Sequence, residues 1–194
     1  MKLSPTTRIR EAVSSDAIEI ARVHVDSRRA TYAGILPDSL LSTMSYEESE
    51  SRWSLRLRNP AIAAFVAEED DSGEGAQREM VVGFASGGPE GSADSDYKGE
   101  LYNIYLLRSH QRRGLGSLLT AAVAGELKRR NFESMLVWVL ADNPSRRFYE
   151  ALGGEFLRTR EIERGGKKLS EVAYGWKNIE ALETAALARA KKPM

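Results

Sequence analysis

Glu100-Leu101-Tyr102-Asn103-Ile104-Tyr105-Leu106-Leu107, followed after Arg108-Ser109-His110 by Gln111-Arg112-Arg113-Gly114-Leu115-Gly116, is the stretch on which the fold turns. Its first part is apolar and aromatic and reads as a strand. Residues 115–130 then read as a helix. Leu115, Leu118, Leu119, Ala122 and Leu127 form its apolar stripe, and Lys128, Arg129 and Arg130 suit the negative end of the helix dipole. A helix start carries unpaired N–H groups and a partial positive charge. Glycines beside it allow a tight turn and a close backbone approach, so the unit reads as an anion site suited to a pyrophosphate. Arg112 and Arg113 add formal charge. Taken alone, the glycine spacing equally describes a plain strand-to-helix turn with solvated arginines, because short glycine patterns recur by chance. No Gly-Lys-Ser/Thr follows, so this is not a Walker loop. A dinucleotide fingerprint, with a third glycine and an acidic residue about 20 positions on, is also lacking.

Outward from this unit, strands and helices alternate. Residues 7–13 read as a first strand, with Ser14, Ser15 and Asp16 as N-caps of a helix running to Arg29. A turn is expected at 32–37 and a second helix at 46–58, carrying Trp53 and Leu57. Strands follow at 61–67 and 80–86, joined by an acidic loop at 70–79. Residues 87–99, rich in Gly, Ser and Asp, read as a flexible surface loop. After the central helix comes a buried strand at 135–140. Asn143-Pro144 then opens a further helix that carries Phe148, Tyr149 and Leu152 and stops at Gly153-Gly154. Two closing strands, at 155–163 and 169–176, flank a turn at Gly165-Gly166. An Ala-rich helix at 178–192 either packs on the domain, pairs with a second subunit or frays. The division expected is one domain over 1–177 and a C-terminal helical tail over 178–194.

The chain has 194 residues, enough for one sizeable core. Its 28 Lys+Arg equal its 28 Asp+Glu, which gives no electrostatic case for nucleic acid. With no cysteine, disulfides, thiolate metal sites and a cysteine nucleophile are excluded. His24 and His110 are the only imidazoles, so no metal centre is expected. Residues 1–10 hold no signal-peptide run, and no stretch reaches the roughly 20 apolar residues of a membrane span. A cytoplasmic protein without membrane partners is the expectation, with a homodimer possible.

The strand from Glu100 to Leu107, with Gln111-x-x-Gly114-x-Gly116, resembles the acetyl-CoA signature of the GNAT superfamily of N-acetyltransferases. So does Val139-Leu140-Ala141-Asp142-Asn143-Pro144-Ser145-Arg146-Arg147-Phe148-Tyr149-Glu150-Ala151-Leu152-Gly153. A third segment, from Val23-His24 to Thr31-Tyr32-Ala33-Gly34-Ile35-Leu36-Pro37, is similar to the first helix and turn of many members. The matches run in order from His24 to Gly154. The resemblance implies an α/β (α+β) fold: a mixed sheet of six to seven strands, splayed between the fourth and fifth, flanked by about four helices. Three departures stand out. Arg108 replaces a common proline and Arg112 a frequent glycine, which changes little where backbone amides bind phosphate. Arg28 replaces a frequent tryptophan and leaves substrate specificity unread.

The resemblance also implies a mechanism. Pantetheine lies in the splay along Ile104, Tyr105 and Leu106. The pyrophosphate meets Gln111 and the amides of Arg112, Arg113, Gly114, Leu115, Gly116 and Ser117. Asn143 approaches from the other side, with Arg146 or Arg147 at a phosphate; an exposed helix charge is the alternative for either arginine. Acetyl-CoA is the acyl donor, no metal takes part, and the acceptor is an amine of a small molecule or peptide. Amines are mostly protonated at neutral pH, with lysine near ~10.4. Glu100 is the candidate to remove that proton, an exposed strand-end glutamate being the alternative. Tyr149 is the candidate to protonate the leaving thiolate, in preference to a purely structural aromatic beside Phe148. A strand amide near Leu106 would meet the oxyanion. Tyr32 and Trp53 are candidate acceptor-pocket residues, although core packing suits Trp53 better. His24 is expected to pack or cap locally, and His110 to be exposed. The competing readings are a non-catalytic acyl-CoA-binding module of the same fold, and a nucleotide or RNA binder using the arginine-rich loop. Neutral net charge argues against the last.

Overall fold

Seven segments with strand-like patterning build one sheet in the computed structural model, which describes residues 7–71, 78–92, 94 and 96–191. They are β1 (Thr7–Glu11), β2 (Ala63–Asp71), β3 (Arg78–Pro89), β4 (Gly99–Leu106), β5 (Met135–Leu140), β6 (Glu155–Arg164) and β7 (Lys167–Trp176). Their order is β1-β2-β3-β4-β5-β7-β6, and only β4 with β5 is parallel. Four long helices flank the sheet: α1 (Ala17–Tyr32), α3 (Tyr46–Arg56), α4 (Leu115–Arg129) and α6 (Ile179–Ala190). Two short ones, α2 (Asp38–Ser42) and α5 (Arg146–Ala151), complete the set among the described residues. This is the mixed α/β sheet that the resemblance implies, and none of its helices is long and apolar enough to cross a membrane.

The two faces of the sheet bury different helices. On one, Ile20 and Val23 of α1 and Trp53 of α3 meet Val66, Val81 and Phe84. On the other, Leu119, Val123 and Leu127 of α4 pack with Val82, Ala85, Leu101 and Met135, and Leu182 of α6 joins the same cluster. Each fully buried side chain of this size contributes about 1.5–3 kcal/mol of transfer free energy. The C-terminal helix therefore packs on the protein, through Ile179, Leu182 and Ala186, and is capped by the Asn178 side chain on the Ala181 amide.

Local rules and tertiary structure part company at four places. The loop expected at 87–99 is partly strand: β3 continues through Gly87 and Gly88 to Pro89, paired with β4. A Cβ on Gly87 would lie 2.7 Å from the Glu100 carbonyl oxygen and 2.7 Å from Val123 Cγ1, so here glycine serves close approach of α4 to the sheet. Asp16 precedes α1 without capping it; its carboxylate accepts from Arg10 and from the Val13 amide instead. Asn143 does not cap α5, which starts at Arg146; its Oδ1 accepts from the Ser145 amide at 2.9 Å, an Asx-type turn. Helix α2 follows Pro37, in a stretch to which the sequence assigned no element. In the acidic loop expected at 70–79, β2 and β3 occupy both ends and residues 72–77 lie outside the described part, as do residues 1–6 of the N-terminal stretch.

Two arginines lock β1 onto β2. Glu68 accepts from Arg8 Nε at 2.9 Å and from Arg10 Nε and Nη2 at 3.0 and 2.9 Å. Hydrogen bonds from Arg10, and then from Arg8, pull its carboxyl down to about 2 against the opposing effect of burial. A carboxyl depressed in the folded state stabilises the protein fully above its unfolded value, and that contribution fades as pH falls toward 2. Denaturation midpoints of wild type and Glu68→Gln, compared near pH 6 and near pH 2, test this. Wild type should exceed the variant by about 1–2 kcal/mol at the higher pH, allowing for solvent screening around exposed Arg8, and the gap should close in acid.

The connection from β4 to α4 contains two left-handed residues, Arg112 at φ 62° and Gly114 at φ 80°. A Cβ on Gly114 would also approach the Ala190 carbonyl oxygen to 2.8 Å. Gly114→Ala should therefore cost about 1–2 kcal/mol or more, whereas Arg112→Gly should be neutral or stabilising by up to about 1 kcal/mol. Urea titrations of both variants read the sign directly; an unchanged midpoint for Gly114→Ala contradicts the strain argument.

Candidate functional site

Strands β4 and β5 pair only at Gly99↔Met135 and Glu100↔Leu136. Beyond Glu100, β4 keeps its other neighbour: Ile104, Tyr105 and Leu106 stay in register with Ala85, Phe84 and Gly83. Its β5-facing edge is left open, with peptide groups that β5 does not pair. A bulge lies inside this stretch. Asn103 faces Ser86 and Leu101 faces Gly87, so Tyr102 is an extra residue on β4. Bulges increase twist and bend a strand, which helps β4 turn away from β5.

At the end of the same strand the chain enters α4. Leu118 is the first residue whose amide finds a helical acceptor, the Gly114 carbonyl at 3.1 Å. The amides of Leu115, Gly116 and Ser117 precede it, without partners among the described residues. A Cβ on Gly116 would meet Phe148 at 3.5 Å and Leu106 at 3.6 Å, ordinary contact distances. Packing alone would admit a side chain there, so the bare backbone leaves room for a ligand. Gln111 donates its Nε2 to the Leu106 carbonyl at 3.1 Å, tying the loop to β4.

The two arginines of the loop differ. Arg113 donates to Glu69 of β2 at 2.7 Å, while Arg112 is exposed with no carboxylate in ion-pair range among the described residues. Glu69 also pairs with His110 Nε2 at 2.6 Å and accepts from the Thr7 hydroxyl. Burial pushes the Glu69 carboxyl up, but hydrogen bonds from His110 and Arg113 outweigh that and hold it below its ordinary value. The His110 side chain is only 11% exposed, so the expectation of an exposed imidazole is corrected: it anchors the loop to the sheet.

Across the gap, α5 brings Tyr149 into the interior. Its ring stacks on Tyr174, with centroids 6.3 Å apart, and meets Phe148 edge-on at 5.3 Å. Burial, and next the neighbouring Tyr32 hydroxyl, raise the Tyr149 phenol above its ordinary range. Burial likewise raises Tyr105, with Tyr32 and Tyr149 adding to it, so three phenols share one electrostatic environment. Asn143 is buried. Arg146 donates Nη1 to the Ala141 carbonyl at 2.8 Å and Nε to the Tyr174 hydroxyl at 3.2 Å, while Arg147 is exposed.

On the α1–α3 side of the sheet, a cleft of about 500 Å³ opens over β4. Arg56, Asn59, Ser86, Glu100, Tyr102 and Asn103 supply its polar lining. Burial raises the Glu100 carboxyl above its usual value and Glu90 adds to this, while a hydrogen bond from the Gly91 amide opposes it. Trp53, 1% exposed, lies in the core against Phe84 and beneath the Arg56 guanidinium. Tyr32 ends α1 with the Arg28 guanidinium 5.5 Å from its ring. His24 packs as expected, edge-on to Trp53 and Phe84, with Nδ1 at 3.1 Å from Ser49 Oγ. Burial, then Arg28, push it down to about 3, so it stays neutral. Sequence reading missed Glu69, Arg56, Asn59, Ser86 and Asn103. Glu69 is one of four consecutive acidic residues that end β2, and none of the five carried a local signal.

Comparison with known proteins agrees with this architecture. Residues 90–162 match the FR47-like protein family. The chain is 43% identical over 176 residues to the uncharacterized N-acetyltransferase YuaI of Bacillus subtilis, covering 91% of this chain and 96% of the relative. Among solved structures, the acetyltransferase yncA of Salmonella typhimurium, determined with its cofactor acetyl-CoA, is 22% identical at TM-score 0.62, covering 88% of this chain and 92% of its own. The paia N-acetyltransferase of Thermoplasma acidophilum, in complex with coenzyme A, is 20% identical at TM-score 0.61, covering 86% and 98%. With 43% identity across nearly the full length of both chains, this protein belongs to the GNAT superfamily of N-acetyltransferases.

Proposed function

We propose that the protein transfers the acetyl group of acetyl-CoA directly to an amine of a small molecule or peptide. The observation that carries this reading is the parting of β4 from β5 after Glu100, with unpaired amides at the head of α4 where the same strand ends. The fold neighbours solved with acetyl-CoA and coenzyme A support it. The residues present suit such a donor. Ile104, Tyr105 and Leu106 offer an open strand edge to an amide-bearing arm. The amides from Arg112 to Ser117 offer a diphosphate site at a helix N-terminus. Asn143 supplies a buried amide from the far side of the gap. Arg147 is the freer guanidinium for a phosphate, because Arg146 is engaged by Ala141 and Tyr174.

In this reading Glu100 takes a proton from the acceptor ammonium. Its raised pKa brings it closer to working pH, where a general base is most effective. The amine nitrogen then bonds to the acyl carbon and the carbon–sulfur bond breaks. The Tyr149 hydroxyl, held protonated by its buried site, donates to the departing sulfur. The second proton lost by nitrogen, as the amide forms, returns to Tyr149, and Glu100 releases its own to solvent. Amide, coenzyme A thiol and one proton leave.

Two variants test these assignments. Tyr149→Phe should bind coenzyme A within about threefold of wild type by calorimetry, yet lose roughly 10–100-fold in kcat. In wild type, kcat/KM should rise with pH as Glu100 ionises, with a midpoint above the ordinary carboxylate value of 4.5. In Glu100→Gln the rate should drop about 100-fold or more and that limb should vanish, leaving only the limb of the acceptor amine. A Gln variant that keeps the acid limb removes Glu100 from the mechanism.

A further inference from the structure

We infer that the acceptor is a small amine that also bears a carboxylate, an amino-acid-class zwitterion, with Arg56 receiving the carboxylate while the amine faces Glu100. The inference rests on the acetyl-transfer reading above and names the substrate class of that site.

Among the residues lining the 500 Å³ cleft, only Arg56 and Glu100 carry charge. They do not neutralise each other, since no ion pair joins them and neither has another ion-pair partner among the described residues. Elsewhere guanidinium groups find carboxylates: Arg10 with Glu68, Arg113 with Glu69, Arg160 with Glu171. Arg56 instead lies over the Trp53 ring at 5.1 Å. Its residue is exposed at the cleft mouth, but its charged head is partly desolvated there, and Arg52 nearby makes the charge costlier still. Glu100, which lines the same cleft, is also partly desolvated, and the charge of Glu90 acts on it. Two opposite charges, both stripped of some water and lining one cleft without pairing, are complementary to a molecule that carries both. A guanidinium is suited to hold a carboxylate bidentately.

Arg28 and Arg56 both act electrostatically on the buried His24, which places them around one imidazole. The Arg28 Nε and the His24 Nε2 are buried without a hydrogen-bond partner among the described residues. The unpaired Arg28 donor favours an anionic group, and the Arg28 charge repels a second ammonium. A polyamine, with cations along its length, is therefore a poor fit. The neutral remainder of the lining, Asn59, Ser86 and Asn103, with Asn103 Nδ2 donating to Ser86 Oγ at 3.1 Å, suits a polar small molecule.

The test is coenzyme A release from acetyl-CoA with the standard L-amino acids, each beside its decarboxylated amine, and with spermidine. In wild type the best amino acid should exceed its decarboxylated counterpart by roughly tenfold or more in kcat/KM, the usual worth of a hydrogen-bonded charge. Arg56→Gln should bring that ratio near unity, chiefly by raising KM for the carboxylated member, and Arg56→Lys should keep part of it. Equal or better use of the decarboxylated amines or spermidine, turnover of no carboxylated amine, or an undiminished ratio in Arg56→Gln overturns the inference. The wild-type ratio decides the matter even if a variant misfolds. Calorimetry with coenzyme A separates the two levels. Absence of both binding and turnover refutes acetyl transfer itself, whereas binding and turnover with indifferent acceptors refute only the zwitterion.

Discussion

The structure depends on one interrupted contact, the parallel pairing of β4 with β5 that ends after two residue pairs. A sheet that kept pairing would bury every peptide group and leave no edge for a ligand. Leaving buried backbone groups unpaired costs on the order of 1–3 kcal/mol each, so the gap persists only because packing on both sides holds it. On the β4 side, Leu101, Ile104 and Leu106 are clamped against α4, and β3 pairs the other edge. On the β5 side, Tyr149 stacks on Tyr174 and Arg146 ties the start of α5 to Ala141 and Tyr174. The Tyr102 bulge directs the strand between these two clamps.

The same economy of contacts divides the arginines into two groups. Those that brace the scaffold have carboxylate or carbonyl partners, as Arg10, Arg113 and Arg146 do. Those at the rims of the gap and the cleft, Arg112, Arg147 and Arg56, have no ion-pair partner among the described residues. In a chain with no net charge, unpaired cations gathered around two concave regions are a local feature that the overall balance conceals. Glu69 shows why sequence position misleads. It takes Arg113 out of the free charge of the β4–α4 loop and His110 out of solvent, so that the loop presents backbone amides and Arg112.

Elements whose signal is local were legible. β5 runs over Met135–Leu140 as its apolar run predicts, and α4 starts at Leu115, beside the glycine that must adopt positive φ. The β6–β7 turn falls at Gly165 and Gly166, both at positive φ. Features decided at a distance were not. Gly87 and Gly88 look like loop residues until α4 and the Glu100 carbonyl press on them from across the sheet. Asp16 looks like a cap until Arg10, six residues back, claims its carboxylate. Arg56 looks like a solvated helix charge; only the fold brings it to the same cleft as Glu100, one whose walls come from α3, β3 and β4.

This contrast has a physical root. The proposed donor half of the site is made largely of backbone: a strand edge, a helix head, two residues at positive φ. Backbone sites need particular glycines and turns at fixed spacing, so they leave a compact motif in sequence. The proposed acceptor half is made of side chains from separate elements, each free to change without disturbing the sheet. Its chemistry therefore leaves no motif, and must be read from which charges the fold leaves unpaired. The partly desolvated, unmatched pair of Arg56 and Glu100 is where, on the proposed reading, this chain discriminates among amines.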